Sequence, residues 1–403
     1  ELAKQSLISE VVMGKLKVVE QNSKLQSIKR EKNELKPSGL HWIDYLPKDW
    51  KKASLKYILN YVIGSTPSTS KDKYFFGDNI WVSISDIKDK YISDAKQRLS
   101  DEAIIDCNIK KVLKGSLLYS FKLSVGQMSF NTVDLYTNEA IASFINDENV
   151  NLDFWYYALG KYLIEYSNEN IYGAKLLNQD LIKNARLLVP SQIEQQKIAN
   201  FLDEKSKIFD EAISKKEQLI SKLELAKQSL ISEVVTGKLK IIEQNSKLQT
   251  IKREKNELKP SGVEWLGDIP KDWQVKKLKY IIKLNPNKFN LDEKIKDDID
   301  VSFVPMENIR RGNINLENSK NINSVINGYT FFEEDDILIA KVTPCFENHN
   351  CAIAKNLKNE IGFGSTELNV LRCFNKDNIK FVYYYIQTDL FINLGVSQMT
   401  GTG

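Results

Sequence analysis

A long internal repeat is the feature that most constrains how this chain can fold. Residues 1–39 and 224–262 are identical at all but four aligned positions, and the four differences are mild. Similarity then fades to a shared frame, Trp-x-x-x-x-Pro-Lys-Asp-Trp, which ends at Trp50 in one copy and Trp273 in the other. Beyond this frame the copies diverge almost completely. We therefore predict two related units, in which variable bodies are attached to nearly invariant connectors.

The connector before the second copy is predicted to be one long helix. Ser191 precedes Glu194 by three residues, the spacing of a capping box, and no Gly or Pro follows until Gly237. A helix of roughly 45 residues would be almost 70 Å long at about 1.5 Å per residue, which suits a spacer. Its apolar residues follow the a/d pattern of a coiled-coil seam: Leu202, Phe209, Ile213, Ile220, Leu223, Leu230 and Val234.

Two interpretations of this seam remain open. An amphipathic helix could pack its apolar stripe on its own domain. We favour a helix with a partner helix, because a seam sustained over this length needs a second seam to bury it. Residues 1–12 would then be the distal end of another helix of the same kind.

The bodies are expected to be α/β domains with one shared fold and different surfaces. Strand-like segments such as "NIWVSISDI", "SLLYSFKL" and "DILIAKV" are flanked by turn formers. Each body places a lysine after an apolar strand, Lys122 or Lys341, and a polar step containing glutamate shortly afterwards. The aromatic rows 155–157 and 383–385 fall at helix-like positions and are interpreted as core.

Composition argues against several kinds of site. Two distant histidines and four cysteines without a Cys-x-x-Cys pair lack the ligand spacing of a structural zinc site. No apolar run of about eighteen residues and no secretory leader pattern is present, so a cytoplasmic protein is expected. The 57 basic residues are nearly matched by 53 acidic ones, and the net charge of +4 gives little support for a polyanionic partner.

Motifs for catalysis are also missing. The nearest string to a methyltransferase Asn/Asp-Pro-Pro-Phe/Tyr loop is "LNPNKF", which lacks the second proline and its aromatic. No Gly-x-x-x-x-Gly-Lys-Ser/Thr loop for ATP is present, and two histidines offer no credible catalytic triad. The acidic run 333–336 is expected to be a solvated turn before a strand and not a metal site. We therefore expect no enzyme activity from this chain alone.

Taken together, the motifs resemble the specificity subunit of type I restriction–modification enzymes. The resemblance rests on "WIDYLPKDW" and "WLGDIPKDW", on "PSQIEQQKIANFLDEK" and "LISEVVTGKLK" at the two helix ends, and on "FVPMENI", "KVTPCFEN", "GFGSTEL" and "TGTG". These strings cover nearly the whole chain in the family's order. The resemblance implies an α/β (α+β) fold, with two globular target-recognition domains separated by long conserved helices that pair as an antiparallel coiled coil.

The resemblance also sets expected domain boundaries. Residues 1–38 would be the distal end of a conserved helix plus a linker, and residues 39–190 the first target-recognition domain. Residues 191–260 would be the central conserved helix plus a linker. Residues 261–403 would be a second domain, incomplete at its C-terminus, because the family pattern continues into a second full helix. A rearranged two-repeat subunit and a fragment both fit this arrangement.

The function implied by the resemblance is DNA recognition. Each domain would read one half of a bipartite double-stranded DNA target, and the helices would set the spacing and dock two DNA methyltransferase (modification) subunits. Restriction/motor subunits would complete the complex, with S-adenosylmethionine, ATP and Mg belonging to these partners and no cofactor in this chain. The alternative is a helical scaffold protein with two protein-binding domains. A steep loss of DNA affinity with rising salt would distinguish the two.

The candidate DNA contacts are loop residues that could reach phosphates or base edges. Asn and Gln suit adenine edges, Lys and Arg suit guanine or phosphate, and glycine turns bring backbone amides close. A solvated surface is the competing interpretation for the loop 64–75 and for the arginine pair. In the first body the candidates are Ser65, Thr66, Ser68, Lys71, Lys122, Ser124, Gln127, Asn138, Gly173 and Lys175. In the second they are Asn308, Arg310, Arg311, Lys341, Thr343, Glu347, Asn348, Ser365, Thr366, Thr400 and Gly401.

Overall fold

The computed structural model of the protein describes residues 1–122, 124–169, 173, 175–288, 291 and 298–398. The chain divides into unit 1, Glu1–Glu217, and unit 2, Gln218–Gly403. A single helix of 44 residues, Gln192–Val235, continues from one unit into the next. The mixed helix-and-strand fold with a long helix between two domains is therefore confirmed. Within the described residues, no helix has the length and apolar character that a bilayer span requires.

Unit 1 consists of short strands and helices that precede the long helix. Its helices are α1 Leu2–Val12, α2 Asp101–Asp106, α3 Leu152–Tyr162 and α4 Gln179–Asn184, and the long helix α5 Gln192–Val235 begins in this unit and ends in unit 2. Its strands are β1 Leu16–Gln21, β2 Lys24–Lys29, β3 Leu35–Leu40, β4 Ile43–Pro47, β5 Lys51–Ser54, β6 Tyr61–Ile63, β7 Asn79–Val82, β8 Tyr91–Ile92, β9 Gln97–Leu99, β10 Leu117–Ser120, β11 Met128–Asn131, β12 Tyr136–Thr137, β13 Ile141–Phe144, β14 Asn168–Glu169, β15 Lys175–Leu176 and β16 Arg186–Val189.

Unit 2 repeats this plan after the long helix. Its strands are β17 Leu239–Gln244, β18 Lys247–Lys252, β19 Leu258–Pro260, β20 Asp268–Pro270, β21 Ile282–Leu284, β22 Asp300–Val304, β23 Ile309–Arg310, β24 Asn313–Ile314, β25 Ser319–Asn321, β26 Thr330–Glu333, β27 Ile337–Ala340, β28 Cys351–Ile353, β29 Ile361–Gly364 and β30 Leu368–Cys373. Its helices are α6 Ile322–Val325, α7 Ile379–Ile386 and α8 Asp389–Gln398.

The two units share a strand order, which confirms the prediction of one fold in both bodies. Unit 1 has a sheet β6-β13-β10-β11-β8 and unit 2 a sheet β21-β30-β27-β28, whose first four strands are antiparallel in each case. A second sheet in each unit contains one parallel pair, β7 with β12 or β22 with β29, flanked by β9 or β25. Helix α3 covers the first sheet with buried aromatic residues such as Phe154 and Trp155.

The repeated segment folds the same way twice. β1 and β2 form a hairpin with a two-residue turn at Asn22-Ser23, where φ is +51° and +58°, and β17 and β18 form its copy. Positive φ at both turn residues is the geometry that suits the right-handed twist of a hairpin. In each copy the hairpin is tied by an ion pair, Lys17 with Glu34 at 2.5 Å in the first.

A close contact among a glycine, a proline and a tryptophan, which we call the joint, explains the shared Pro-Lys-Asp-Trp frame. Gly14 follows helix α1 with φ of +71°, and a Cβ there would lie 2.5 Å from Pro47 Cγ and 3.3 Å from the ring of Trp50. Gly237 follows α5 in the same way, with Pro270 Cδ at 2.3 Å from such a Cβ. A side chain at either glycine would be both strained and crowded. This packing explains why both copies of the repeat have the glycine together with the more distant proline and tryptophan.

The predicted capping box at the start of α5 is only half formed. The Ser191 hydroxyl accepts a hydrogen bond from the Glu194 amide at 3.3 Å, as expected. The Glu194 carboxylate does not return to Ser191, because it accepts from Arg30 Nη2 at 2.5 Å and from Trp50 Nε1 at 2.9 Å. A tertiary contact with two strong donors replaces the local one.

The seam residues predicted along α5 differ in how deeply they are buried. Leu202 is fully buried in unit 1, and Phe209, Ile213 and Val234 are half-buried. Three further seam residues are exposed, Ile220 by 56%, Leu223 by 60% and Leu230 by 46%. Pairing with an antiparallel partner helix remains a prediction.

Candidate functional site

In unit 1, polar segments meet where the parallel strands β7 and β12 end. The Asn138 amide donates to the Val82 carbonyl at 3.0 Å, and the Ser65 amide donates to the Thr137 carbonyl at 3.0 Å. The approach at Gly64 is so close that a Cβ would lie 1.9 Å from the Thr137 carbonyl oxygen. The start of the loop 64–75 is thereby fixed against the Thr-Asn-Glu step.

Lys122 and the hairpin β14–β15 join the same edge. The Phe121 amide donates to the Ala140 carbonyl at 3.0 Å, and the Phe121 carbonyl accepts from the Leu177 amide at 3.1 Å, two residues after Lys175. Five of the predicted residues therefore lie on connected segments, which we call the unit 1 rim: Ser65, Thr66, Lys122, Asn138 and Lys175.

A carboxylate at this rim was not among the candidates. Glu139 accepts a hydrogen bond from the Thr66 hydroxyl, and this bond, together with the charge of Lys122, lowers the pKa of Glu139. An ionised carboxylate can accept from the exocyclic amine of cytosine. The Thr-Asn-Glu step was visible in the sequence, but its contact with the distant Thr66 was not.

The remaining candidates of unit 1 lie elsewhere or are already engaged. The Lys71 ammonium donates to the Tyr74 hydroxyl at 2.7 Å and lies 4.7 Å from its ring centre, and the hydrogen bond raises the pKa of Lys71. Ser68 bonds to Ser70 at 2.8 Å. Ser124 and Gln127 are exposed in the turn after β10, and Gly173 adopts a positive φ of 75°.

Unit 2 builds an equivalent edge at the end of β22 and β29. The Ser365 amide donates to the Val304 carbonyl at 3.2 Å, and the Lys341 amide donates to the Glu367 carbonyl at 2.9 Å. A cleft of about 590 Å³ lies here between the segment 303–307 and Ser365–Glu367. We call Lys341, Ser365 and Thr366 the unit 2 rim. Asn308 follows this segment, and its side-chain amide donates to the Asn315 carbonyl at 3.3 Å.

The two rims differ by one residue in register. Phe121 occupies the backbone position of Lys341, since each residue follows the third strand in the order of its sheet, β10 or β27, and its amide donates to the partner segment, at Ala140 or Glu367. Lys122 and Glu139 are therefore each offset by one position from the lysine and glutamate of unit 2. The two rims place similar residue types at non-equivalent positions.

The arginine pair of unit 2 does not form a fork. Arg310 is exposed, and its Nη1 lies 3.4 Å from the Ile309 carbonyl. Arg311 is half-buried, and its Nε and Nη2 have no hydrogen-bond partner among the described residues. Its charge faces His349 and Cys351, where burial raises the pKa of the Cys351 thiol to about 12.

The other candidates of unit 2 follow β27. Thr343, Glu347 and Asn348 are exposed in a turn anchored by the buried Phe346, and the Asn348 amide donates to the Pro344 carbonyl at 3.0 Å. Thr400 and Gly401 lie outside the described residues. In the part of the chain that the structure describes, no group of three or more His, Cys, Asp or Glu residues could hold a metal ion.

The acidic run 333–336 turns just before β27, as expected, but it is not solvated, and that part of the expectation was wrong. The Asp336 side chain is 2% exposed and accepts from Arg372 Nε at 2.8 Å and Nη2 at 2.6 Å. Glu333 pairs with Arg372 Nη1 at 2.6 Å. Asp335 pairs with Lys355 and Lys376, and these contacts lower its pKa. The cationic partners are Arg372 of β30 and the lysines 355 and 376, all distant in sequence. The acidic run alone therefore could not predict these ion pairs.

Residues 47–225 match the family described as the type I restriction modification DNA specificity domain. The chain is 33% identical to the EcoEI specificity subunit and 36% identical to the EcoAI specificity subunit of Escherichia coli, over 176 and 177 residues. Each match covers 43% of this chain but only 28% of the Escherichia coli protein. The MjaIX specificity subunit of Methanocaldococcus jannaschii is 26% identical over 358 residues, which are 85% of this chain and 76% of that protein.

Solved structures of similar description share lower identity. The HsdS subunit from Thermoanaerobacter tengcongensis is 18% identical, with a TM-score of 0.37, over 54% of this chain and 45% of that one. The S subunit from M. genitalium is 13% identical, with a TM-score of 0.31, over 87% and 80% of the two chains. A structure reported on complex assembly in the type I R-M system is 16% identical, with a TM-score of 0.41, over 50% and 48%.

Proposed function

We propose that this chain, whose residues 47–225 match the type I restriction modification DNA specificity domain, is a specificity subunit that reads DNA sequence, with one half-site read at each rim. The observation that carries this proposal is the repetition of one strand order, with a lysine-bearing polar edge at the end of the parallel strand pair in each unit. Side chains held at strand ends lose little freedom on binding, which suits them to base-edge contacts.

The two rims are expected to read unrelated half-sites. The unit 1 rim presents Thr66, Lys122 and Asn138 beside the Glu139 carboxylate, whereas the unit 2 rim presents Lys341, Ser365 and Thr366. The one-residue offset between them adds to this difference, because it changes where similar side chains are presented. The proposal therefore makes each unit an independent reader.

Catalysis, on this proposal, is supplied by other subunits. Two modification (methyltransferase) subunits dock on the conserved helices and use S-adenosylmethionine, and restriction/motor subunits use ATP and Mg. This chain supplies the DNA sequence preference and no chemistry of its own. We place the complex in the cytoplasm, where its DNA substrate is found. The family match at residues 47–225 supports these assignments.

A test of DNA reading compares Lys122→Ala and Lys341→Ala in the assembled complex. The target is first obtained from genomic methylation maps made with and without this chain. Each substitution should weaken specific binding by about 1–3 kcal/mol if the lysine meets a base edge, and uniformly across sequences if it meets phosphate. Lys247→Ala, at the exposed first residue of β18, is the matched control and should leave affinity unchanged.

Salt dependence provides the second measurement. Lysine–phosphate contacts release counterions, so the logarithm of the affinity should fall steeply and linearly with the logarithm of salt concentration. Salt-independent DNA binding, together with unchanged affinity in both rim variants, would favour the scaffold protein with two protein-binding domains.

A further inference from the structure

A lysine and a glutamate are placed opposite each other at the end of one strand pair in unit 1. The ladder of β10 and β13 ends with Ser120 facing Ile141, and the Phe121 amide extends it by one further hydrogen bond. The next step of this register places Lys122 opposite Glu139, and both residues are exposed. Residues that face each other in such a ladder have Cβ atoms about 4.5–5.5 Å apart. The unit 1 rim therefore presents a cation beside an anion.

Unit 2 contains the same arrangement one step closer to its sheet. The ladder of β27 and β30 ends with Ala340 facing Leu368, and the next step places Lys341 opposite Glu367. The Lys341 amide donates to the Glu367 carbonyl at 2.9 Å, and both side chains are exposed. Each body thus has a lysine and a glutamate in facing positions at this strand end, although the two bodies share little other sequence. An isolated charge on a solvated surface would not be expected to recur in this way.

The two charged groups of unit 1 are each held by a different neighbour. The Glu139 carboxylate accepts a hydrogen bond from the Thr66 hydroxyl, and a carboxylate has acceptor positions for about three more. The Lys122 ammonium lies 5.8 Å from the centre of the buried Phe121 ring. The Thr66 hydrogen bond and, more weakly, the charge of Lys122 lower the pKa of Glu139, so the carboxylate is ionised at neutral pH. Among the described residues neither group forms a salt bridge, and both can therefore bind a ligand.

One kind of base pair matches these two groups in the major groove. A lysine ammonium only donates hydrogen bonds, and an ionised carboxylate only accepts them. A G·C pair offers the N4 amine of cytosine as a donor, next to O6 and N7 of guanine as two acceptors. An A·T pair also offers one donor, the N6 amine of adenine. However, the adenine N7 acceptor beside that amine repels a carboxylate, and thymine leaves the lysine a single acceptor, O4. G·C is therefore the better match.

We propose that Lys122 and Glu139 together read one G·C base pair in the half-site of unit 1. The Glu139 carboxylate accepts from the cytosine N4 amine, and the Lys122 ammonium donates to O6 and N7 of the guanine. Phosphates repel a carboxylate, so an acidic residue at a DNA-reading rim is favourable only where a base supplies a donor. Thr66 is a positioning residue, because it acts through Glu139. The inference rests on the proposed function and adds to it the base pair that this rim selects.

The test measures equilibrium DNA binding by the assembled complex. The duplexes carry the mapped target, with every base pair of both half-sites changed in turn. The unmodified complex should prefer G·C over A·T at least about tenfold at the position that this pair reads. Glu139→Gln should remove that preference, because a glutamine can pair with N6 and N7 of adenine. Preferences at all positions of the other half-site should stay unchanged, which also shows that the variant is folded.

Two further variants complete the experiment. Lys122→Ala should reduce the preference at the same position as Glu139→Gln, because both side chains read one base pair. Glu148→Gln is the matched control, since Glu148 is exposed in the turn after β13, at the opposite end of that strand from Glu139. It should leave the preference at every position unchanged.

Three outcomes would overturn the proposal while the proposed function stands. In the first, Glu139→Gln leaves every preference unchanged or lowers the affinity for all sequences alike. In the second, Lys122→Ala changes the preference at a different position from Glu139→Gln. In the third, the position that responds to both variants holds an A·T pair in the target. If the unmodified complex shows no sequence-specific DNA binding, the proposed function fails, and this inference fails with it.

Discussion

Single residues fix the strands that carry the rims, and Arg372 is a clear case. Its guanidinium bonds to the buried Asp336 and to Glu333, at the turn that leads into β27 and so to Lys341. The Asp336 side chain is 2% exposed, and a buried carboxylate that loses its cationic partner is costly. The contact therefore supports both the stability of unit 2 and the placement of its rim.

Arg372→Ala is expected to lower the free energy of unfolding by about 3–5 kcal/mol, because it leaves the Asp336 carboxylate buried and unpaired. Lys355→Ala is the matched control, since its exposed pair with Asp335 should contribute at most about 1 kcal/mol. Urea denaturation measures both. Similar losses in the two variants would show that burial of Asp336 does not set the cost.

His349 should make unit 2 less stable in mild acid. Its Nδ1 lies 3.0 Å from the Gln387 carbonyl and its Nε2 3.4 Å from Asp389 Oδ1. Burial, with a smaller contribution from the charge of Arg311, lowers the pKa of His349 below 6.5. The folded state therefore favours the neutral ring. The stability it contributes is present above pH 6.5 and is lost as pH falls toward the lowered value.

His349→Gln should accordingly flatten the dependence of unfolding free energy on pH between about 7 and 5.5. Urea titrations at several pH values in this window measure the slope. His41→Gln is the control, because His41 is exposed in unit 1 and its substitution should leave the slope unchanged. An identical slope in all three proteins would mean that another group is responsible.

At the scale of elements, the sequence predicted the secondary-structure elements that are long or have clear start and stop residues. α5 has a sustained heptad pattern, a capping serine before it and Gly237 after it, and its ends lie at Gln192 and Val235. The hairpin β1–β2 was not predicted, because its Asn-Ser turn lacks the glycine of the usual signal. Strand order was beyond reach, since β5 pairs with β16 from more than a hundred residues away.

The candidate site was predictable only where it depends on local sequence. Polar residues at strand ends, such as Lys122 and Ser365, could be found from the strands alone. The engagement of Lys71 by Tyr74 and the contact of Thr66 with Glu139 depend on tertiary packing. The contact of Arg30 with Glu194, which joins the first repeat to the start of α5, likewise depends on tertiary packing.

The seam of α5 leads to a prediction about one element. Leu202→Ala should cost about 2–5 kcal/mol of unfolding free energy, because the side chain is fully buried. Leu223→Gln should change it by no more than about 0.5 kcal/mol, because Leu223 is exposed. If a partner helix covers the seam in the complex, the same Leu223 substitution should weaken assembly. Equal destabilisation of the isolated chain by both changes would contradict this view of the seam.

At the scale of the whole molecule, the proposed function makes α5 a ruler. Inserting seven residues after Leu223 keeps the heptad phase and adds roughly 10 Å, which corresponds to about three base pairs of DNA. Methylation mapping with the modification subunits should then find both half-sites unchanged and a wider gap between them. A two-residue insertion should rotate the seam and prevent pairing. An active complex with an unchanged gap after the seven-residue insertion would refute the ruler.

The repeated joint has a consequence for inheritance. Gly14 meets Pro47 and Trp50 as Gly237 meets Pro270 and Trp273, and the two copies of the repeat begin 223 positions apart. A genetic crossover anywhere within the near-identical stretch would remove or duplicate one whole body and leave an intact joint in front of the next. Recombination can therefore exchange bodies without new packing mutations. Natural selection can change one body at a time, while the repeat preserves the joint in which each body is seated.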